Sequence, residues 1–213
     1  ADRLGLGDRV HWVEPRAEAW HVAGEVAAGD AAVSISAAIP VLPSPAAQPQ
    51  PPDPAAHDDD EARRLGRAVH RTLQWTASDA DPTAGLAACA RAAAREAGLS
   101  VDRATRVANI VAEMRGHADL APYFDASRLA WAGDEVELVL DGQVLRIDRL
   151  VRPRVPADAP WWVLDYKLDP DAVSDPAVHE QLARYCRAVQ LATDGQPVRA
   201  AVVTADGRVH PLI

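Results

Sequence analysis

Trp161-Trp162-Val163-Leu164-Asp165-Tyr166-Lys167 sets an acid and an amine two residues apart on a strongly apolar stretch of a 213-residue chain. Bulky apolar residues without a breaker, between loops rich in Pro and Asp, predict a short buried β-strand. Side chains alternate along a strand, so Asp165 and Lys167 share a face, about 7 Å apart at the backbone. Two charges on an interior strand are costly unless something pairs with them. A metal ion and a scissile phosphate would do so. Of the 22 basic side chains 21 are Arg, and Lys167 is the only lysine. Arg does not give up its proton, whereas a lysine pKa moves readily on burial, so the exception carries weight. A buried Asp–Lys ion pair without chemistry fits the same pattern, and the other motifs must decide.

Those motifs lie on the elements that would position them. Asp58-Asp59-Asp60-Glu61 reads as a helix start, with acids where the macrodipole favours them, and the helix runs to about residue 75. On it Gly66, Val69, His70 and Leu73 fall on one stripe, which turns His70 inward. Gly66 costs about 1 kcal/mol of helix propensity, and a close backbone approach would explain it. An inward His alone is more often a satisfied core residue.

Two more helices, over 83–97 and 102–116, show no chemistry and read as packing or DNA-guiding elements. Residues 128–140 and 143–152 alternate as a hairpin about Asp141-Gly142. That turn sets Glu137 opposite Arg146, a sensible ion pair, and Glu135 opposite Asp148, two like charges that should repel. Either a bulge separates them or a cation sits near both, and the second is favoured here. A helix starting at Asp175-Pro176 carries Gln181 and Tyr185 one turn apart with Arg184 beside them. These are either ordinary edge residues or donors facing a phosphate backbone. Residues 198–204 read as a last interior strand.

Composition bounds the rest. Hydrophobic content of 48% supports a sizeable core. Cys89 and Cys186 read as small core residues in a reducing, cytoplasmic compartment, and two Cys cannot supply a four-thiolate iron–sulfur cluster. No apolar run approaches the roughly 18 residues of a membrane span. No His-x-His or His-Glu-x-x-His pattern points to a zinc enzyme. The chain opens without Met or a signal peptide, so the expectation is a piece of something longer. Net charge is −9, but residues 1–60 hold 10 acids against 3 Arg, which leaves the remainder nearly neutral and open to a local basic groove. Residues 40–54 contain seven Pro. The expected organisation is therefore residues 1–39 as the tail of a preceding module, 40–57 as a Pro-rich linker, and 58–213 as the domain that carries the chemistry.

In chain order the motifs are Gly66-x-x-x-His70, Glu135, Asp148-Arg149, Asp165-Tyr166-Lys167 and Gln181-x-x-x-Tyr185. This order and spacing resembles the RecB-like branch of the PD-(D/E)XK nucleases, in particular the C-terminal nuclease domain of RecB- and AddA-type helicase–nucleases. The chain departs from many relatives in having Arg146-Ile147 just before the hairpin Asp and Leu168 after the lysine. The resemblance implies an α/β, restriction-endonuclease-like fold, a mixed central sheet flanked by helices. It implies a Mg²⁺ or Mn²⁺ site made by His70, Asp148, Asp165 and the carbonyl of Tyr166, with Glu135 as a further carboxylate. Asp148, Asp165 and Lys167 would be catalytic, and Gln181, Arg184, Tyr185 and Arg149 would meet DNA, a single-stranded end being the expected substrate. The expected activity is the exonuclease part of a helicase–nuclease in DNA repair, with the helicase module in the same chain or complex. The competing expectation is a silent DNA-binding or subunit-docking module of the same fold.

Overall fold

The computed structural model describes residues 54–77, 83 and 85–212, and the expectations for residues 1–53 lie outside them. Three helices come first, α1 (Pro54–Thr76), α2 (Leu86–Glu96) and α3 (Val101–Gly116). Strands β1 (Leu129–Leu140), β2 (Gln143–Pro153) and β3 (Trp161–Lys167) follow, then α4 (Pro176–Ala192), β4 (Val198–Thr204) and β5 (Val209–Pro211). Helix α1 starts at Pro54, four residues before the acidic run. Proline suits a first turn because its missing N–H has no helical partner there. The expected boundary at residue 58 therefore falls inside α1, and residues 54–57 belong to the helix rather than to a linker. Helix α2 is capped at Ala97 and followed by Gly98, whose φ of +71° suits a helix stop. At α4 the carboxylate of Asp175 accepts the N–H of Ala177 at 2.8 Å, a side-chain cap just ahead of Pro176.

The five strands form one sheet in sequence order. Asp141 and Gly142 both take positive φ, 51° and 77°, the conformation of a tight hairpin turn whose twist matches the strands. The register is the expected one, with Leu140 opposite Gln143 and Glu137 opposite Arg146. Strand β3 runs antiparallel to β2 and parallel to β4, and α4 makes the crossover. Alternation along β3 serves two cores. Leu164 and Tyr166 pack with α1, α2 and α3 on one face, and Trp161 and Val163 pack with α4 on the other. Val163 and Leu164 are fully buried, each stabilising the fold by about 1.5–3 kcal/mol. The fold is thus α/β, a mixed five-stranded sheet flanked by four helices. No helix of the described residues is long and apolar enough to cross a membrane.

Candidate active site

Strands β2 and β3 pair from Val151–Trp162 to Arg149–Leu164, and beyond that point they part. Asp148 and Asp165 are the next residues on each strand. The opening between the strands holds the polar groups. Asp148 Oδ2 accepts the backbone N–H of Tyr166 at 2.8 Å, which fixes the carboxylate against β3. From α1, His70 Nε2 lies 2.9 Å from the Tyr166 carbonyl oxygen. A carbonyl only accepts, so Nε2 carries the proton and Nδ1 faces Asp148 Oδ1, 3.4 Å away. The imidazole also meets the Tyr166 ring edge to face, with centroids 5.6 Å apart.

Glu135 completes the cluster from β1. It breaks the ladder where it should face Asp148, because its backbone is left-handed with φ 51°, while the register on either side is unchanged. Donor atoms of His70, Glu135 and Asp148 all lie within 4.8 Å of one another. Burial, then the charge of Asp148, raises the pKa of Glu135. Burial alone would lower that of His70, but the hydrogen bond and charge of Asp148, aided by Tyr166 and Asp165, lift it above the usual value. Two crowded carboxylates, an imidazole and a backbone carbonyl are the donor set of a hard divalent cation that also accepts nitrogen. The residues present therefore fit a metal ion.

Asp165 lies outside the three-residue set, and its carboxylate pairs with the Lys167 ammonium at 2.9 Å. The Asp165 side chain is only 3% exposed. Burial, then the charge of Asp148, raises its pKa against the opposing pull of Lys167. Burial works to lower the pKa of Lys167, but Asp165 outweighs it and keeps the amine a cation.

Of the residues expected to meet nucleic acid, Gln181, Arg184 and Tyr185 share a depression of about 360 Å³ beside α4. Gln181 Nε2 donates to the Tyr185 hydroxyl at 2.6 Å, and Arg184 donates to Gln143 at 2.6 Å. The phenol of Tyr185 feels the charges of Asp165 and Lys167. Arg149 contradicts its expectation. It is 2% exposed, donates to Asp134 at 2.6 Å and to the Tyr123 carbonyl at 3.0 Å, and stacks on Phe124. It alternates to the face opposite Asp148 and ties the sheet to the helical layer.

Two features of α1 also differ from the expected stripe. The buried face is Ala68, Val69, Thr72, Leu73 and Thr76, whereas Gly66 and His70 lie on its flank and line a groove of about 660 Å³. Apart from the helix's own neighbouring backbone, no described atom lies within 4 Å of the place a Gly66 Cβ would take, so the expected close approach of another backbone is absent. The same groove is lined by Arg146 and by Arg63, Arg67 and Arg71, the last three passed over in the sequence reading. The four-residue spacing of those three was the available signal.

The sequence profile of the PD-(D/E)XK nuclease superfamily matches residues 47–210. The chain belongs to the PD-(D/E)XK nuclease superfamily, which points to a metal-dependent nuclease. No curated protein sequence matches the chain.

Proposed function

We propose that this chain is a Mg²⁺- or Mn²⁺-dependent deoxyribonuclease domain of the RecB-like kind, working in the cytoplasm as the exonuclease part of a helicase–nuclease in DNA repair. The observation that carries this reading is the convergence of His70, Glu135 and Asp148, from three separate elements, beside the Asp165–Lys167 pair. His70, Asp148 and the Tyr166 carbonyl would hold the ion, with Glu135 and Asp165 as the further carboxylates. A bound divalent ion would polarise the phosphodiester and lower the pKa of its water.

The chain's own groups do the rest. The Tyr166 N–H orients Asp148, and the Tyr166 carbonyl orients His70. Lys167 is held protonated, so it acts as a donor and a charge beside the phosphate rather than as a base. Gln181, Arg184 and Tyr185 would position the strand from the α4 side. A helicase module in the same chain or complex would feed DNA to the site, which raises its effective concentration and offsets a net charge of −9.

The test is cleavage of labelled single-stranded DNA with Mg²⁺ or Mn²⁺ against EDTA. Cleavage should require the ion and fall on the order of 10²-fold or more in both Lys167→Ala and Lys167→Arg, the scale of losing one donor to developing charge. Arg should fail because its wide planar fork cannot place a single ammonium there. Calorimetry should show metal binding retained in both and lost in Asp148→Ala. Wild-type rates in Lys167→Arg would end the catalytic role of this lysine and favour a docking module.

A further inference from the structure

Helix α1 carries Arg63, Arg67, Arg71 and Trp75 at four-residue intervals, a row that winds about 40° round the helix at each step. Successive members stand about 6 Å apart along the axis, close to the spacing of phosphates along an extended single strand. Arg63, Arg67 and Arg71 line the same groove as His70, Asp148, Tyr166 and Lys167. Gly66, between the first two, offers no side chain and leaves that wall open. Arg67 is exposed and makes no ion pair among the described residues. The Arg71 guanidinium already holds an oxyanion, since Glu96 Oε1 lies 2.9 Å from Nη2 and 3.2 Å from Nε. That pair is half-exposed, the kind that contributes little and breaks readily. Trp75 is 42% exposed, with the Arg71 guanidinium 5.7 Å from its ring centre.

A row of arginines on a solvated helix face is often only a solvated face. Here the row runs along the groove that holds the candidate metal donors and continues into an exposed indole. Backbone-tracking cations beside a stacking surface are the two parts of a single-strand binding site. We propose that Arg63, Arg67 and Arg71 form a phosphate track for single-stranded DNA, that Trp75 stacks a base at its far end, and that Glu96 occupies Arg71 until a phosphate displaces it. This deepens the nuclease reading by assigning the strand a path along α1, on the other side of the site from Gln181 and Tyr185.

The experiment is fluorescence anisotropy of the full chain with a labelled oligothymidylate of about 12 nucleotides, in EDTA, across a salt series. Without metal, binding is read apart from cleavage. The two kinds of residue leave different signatures. Each lost phosphate contact should flatten the log–log salt dependence by about 0.7, so Arg63→Ala with Arg67→Ala should flatten it by about 1.4. Trp75→Ala should weaken binding about five-fold or more with the slope unchanged, and Trp75→Phe should restore most of it. Glu96→Gln should tighten binding. Duplex of the same length should bind more weakly. Circular dichroism melts confirm that each variant is folded. An unchanged slope in the folded double arginine variant, or duplex bound as tightly as single strand, would overturn the track while leaving the nuclease reading intact. Loss of cleavage in wild type with the slopes as expected would do the reverse.

Discussion

Glu135 holds a left-handed backbone at φ 51° and a carboxylate pressed toward Asp148. A non-glycine residue there costs about 1–2 kcal/mol, and like charges add to it. Its ion pair with Arg146, at 3.5 Å, only partly compensates. Glu135→Gln should therefore raise the melting temperature in EDTA, by about 1–4 °C for a domain of this size, and should shrink the further rise that Mn²⁺ produces. Differential scanning calorimetry with and without the ion reads both. A lower melting temperature in EDTA would mean that the carboxylate is not crowded. At the same scale, burial pushes the Cys186 thiol up to about 11. Thiolate is the reactive form, so iodoacetamide at pH 8 should label Cys89, which is partly exposed, and leave Cys186 untouched until the chain is unfolded. Peptide mass mapping decides it.

The elements are joined by Phe124, which is clasped between the guanidinium groups of Arg115 and Arg149 at 4.3 and 4.0 Å. Arg149→Ala removes one of these and leaves Asp134, whose pKa burial already raises, without its partner. Breaking such a buried pair from one side costs about 3–5 kcal/mol. Chemical denaturation should show that loss, whereas a residue that only met DNA would leave stability unchanged. On α1, Gly66→Ala should stabilise by up to about 1 kcal/mol, since its Cβ would meet nothing beyond its own helix.

These two positions also show what the sequence could reveal. The hairpin register, β3 and the crossover helix were legible because turn chemistry and apolar runs are local signals. His70 drew notice beside an apolar stripe, Glu135 and Asp148 through the register of the hairpin, and Lys167 as the only lysine, on an apolar strand. The burial of Arg149 was not, because Asp134 and Phe124 reach it through tertiary packing, which leaves no mark on its own strand. Gly66 was misread because a glycine reports room, not what fills it. Asp165 was assigned to the metal by the resemblance, while its pairing with Lys167 was already an open reading of two charges on one strand face.

At the scale of the molecule, two hydrophobic clusters on opposite faces of one sheet lie between residues 65 and 212. A fragment of residues 47–213 should accordingly unfold in one transition within a few degrees of the full chain, as read by calorimetry. A split or markedly lower transition would show that earlier residues belong to the core.

The contact between His70 and Tyr166 spans 96 residues of chain. Long closures come late, because loop entropy must be met before their contacts give anything back. The β1–β2 hairpin and the β3–α4–β4 crossover are local and can form first, with α1 docking onto a sheet already made. On the ribosome α1 emerges early and must wait for β3, and for β4 to flank it, before His70 has anything to hold. The candidate centre is therefore incomplete until α1 docks. Whatever hydrolysis the centre performs is switched on by the completion of folding itself.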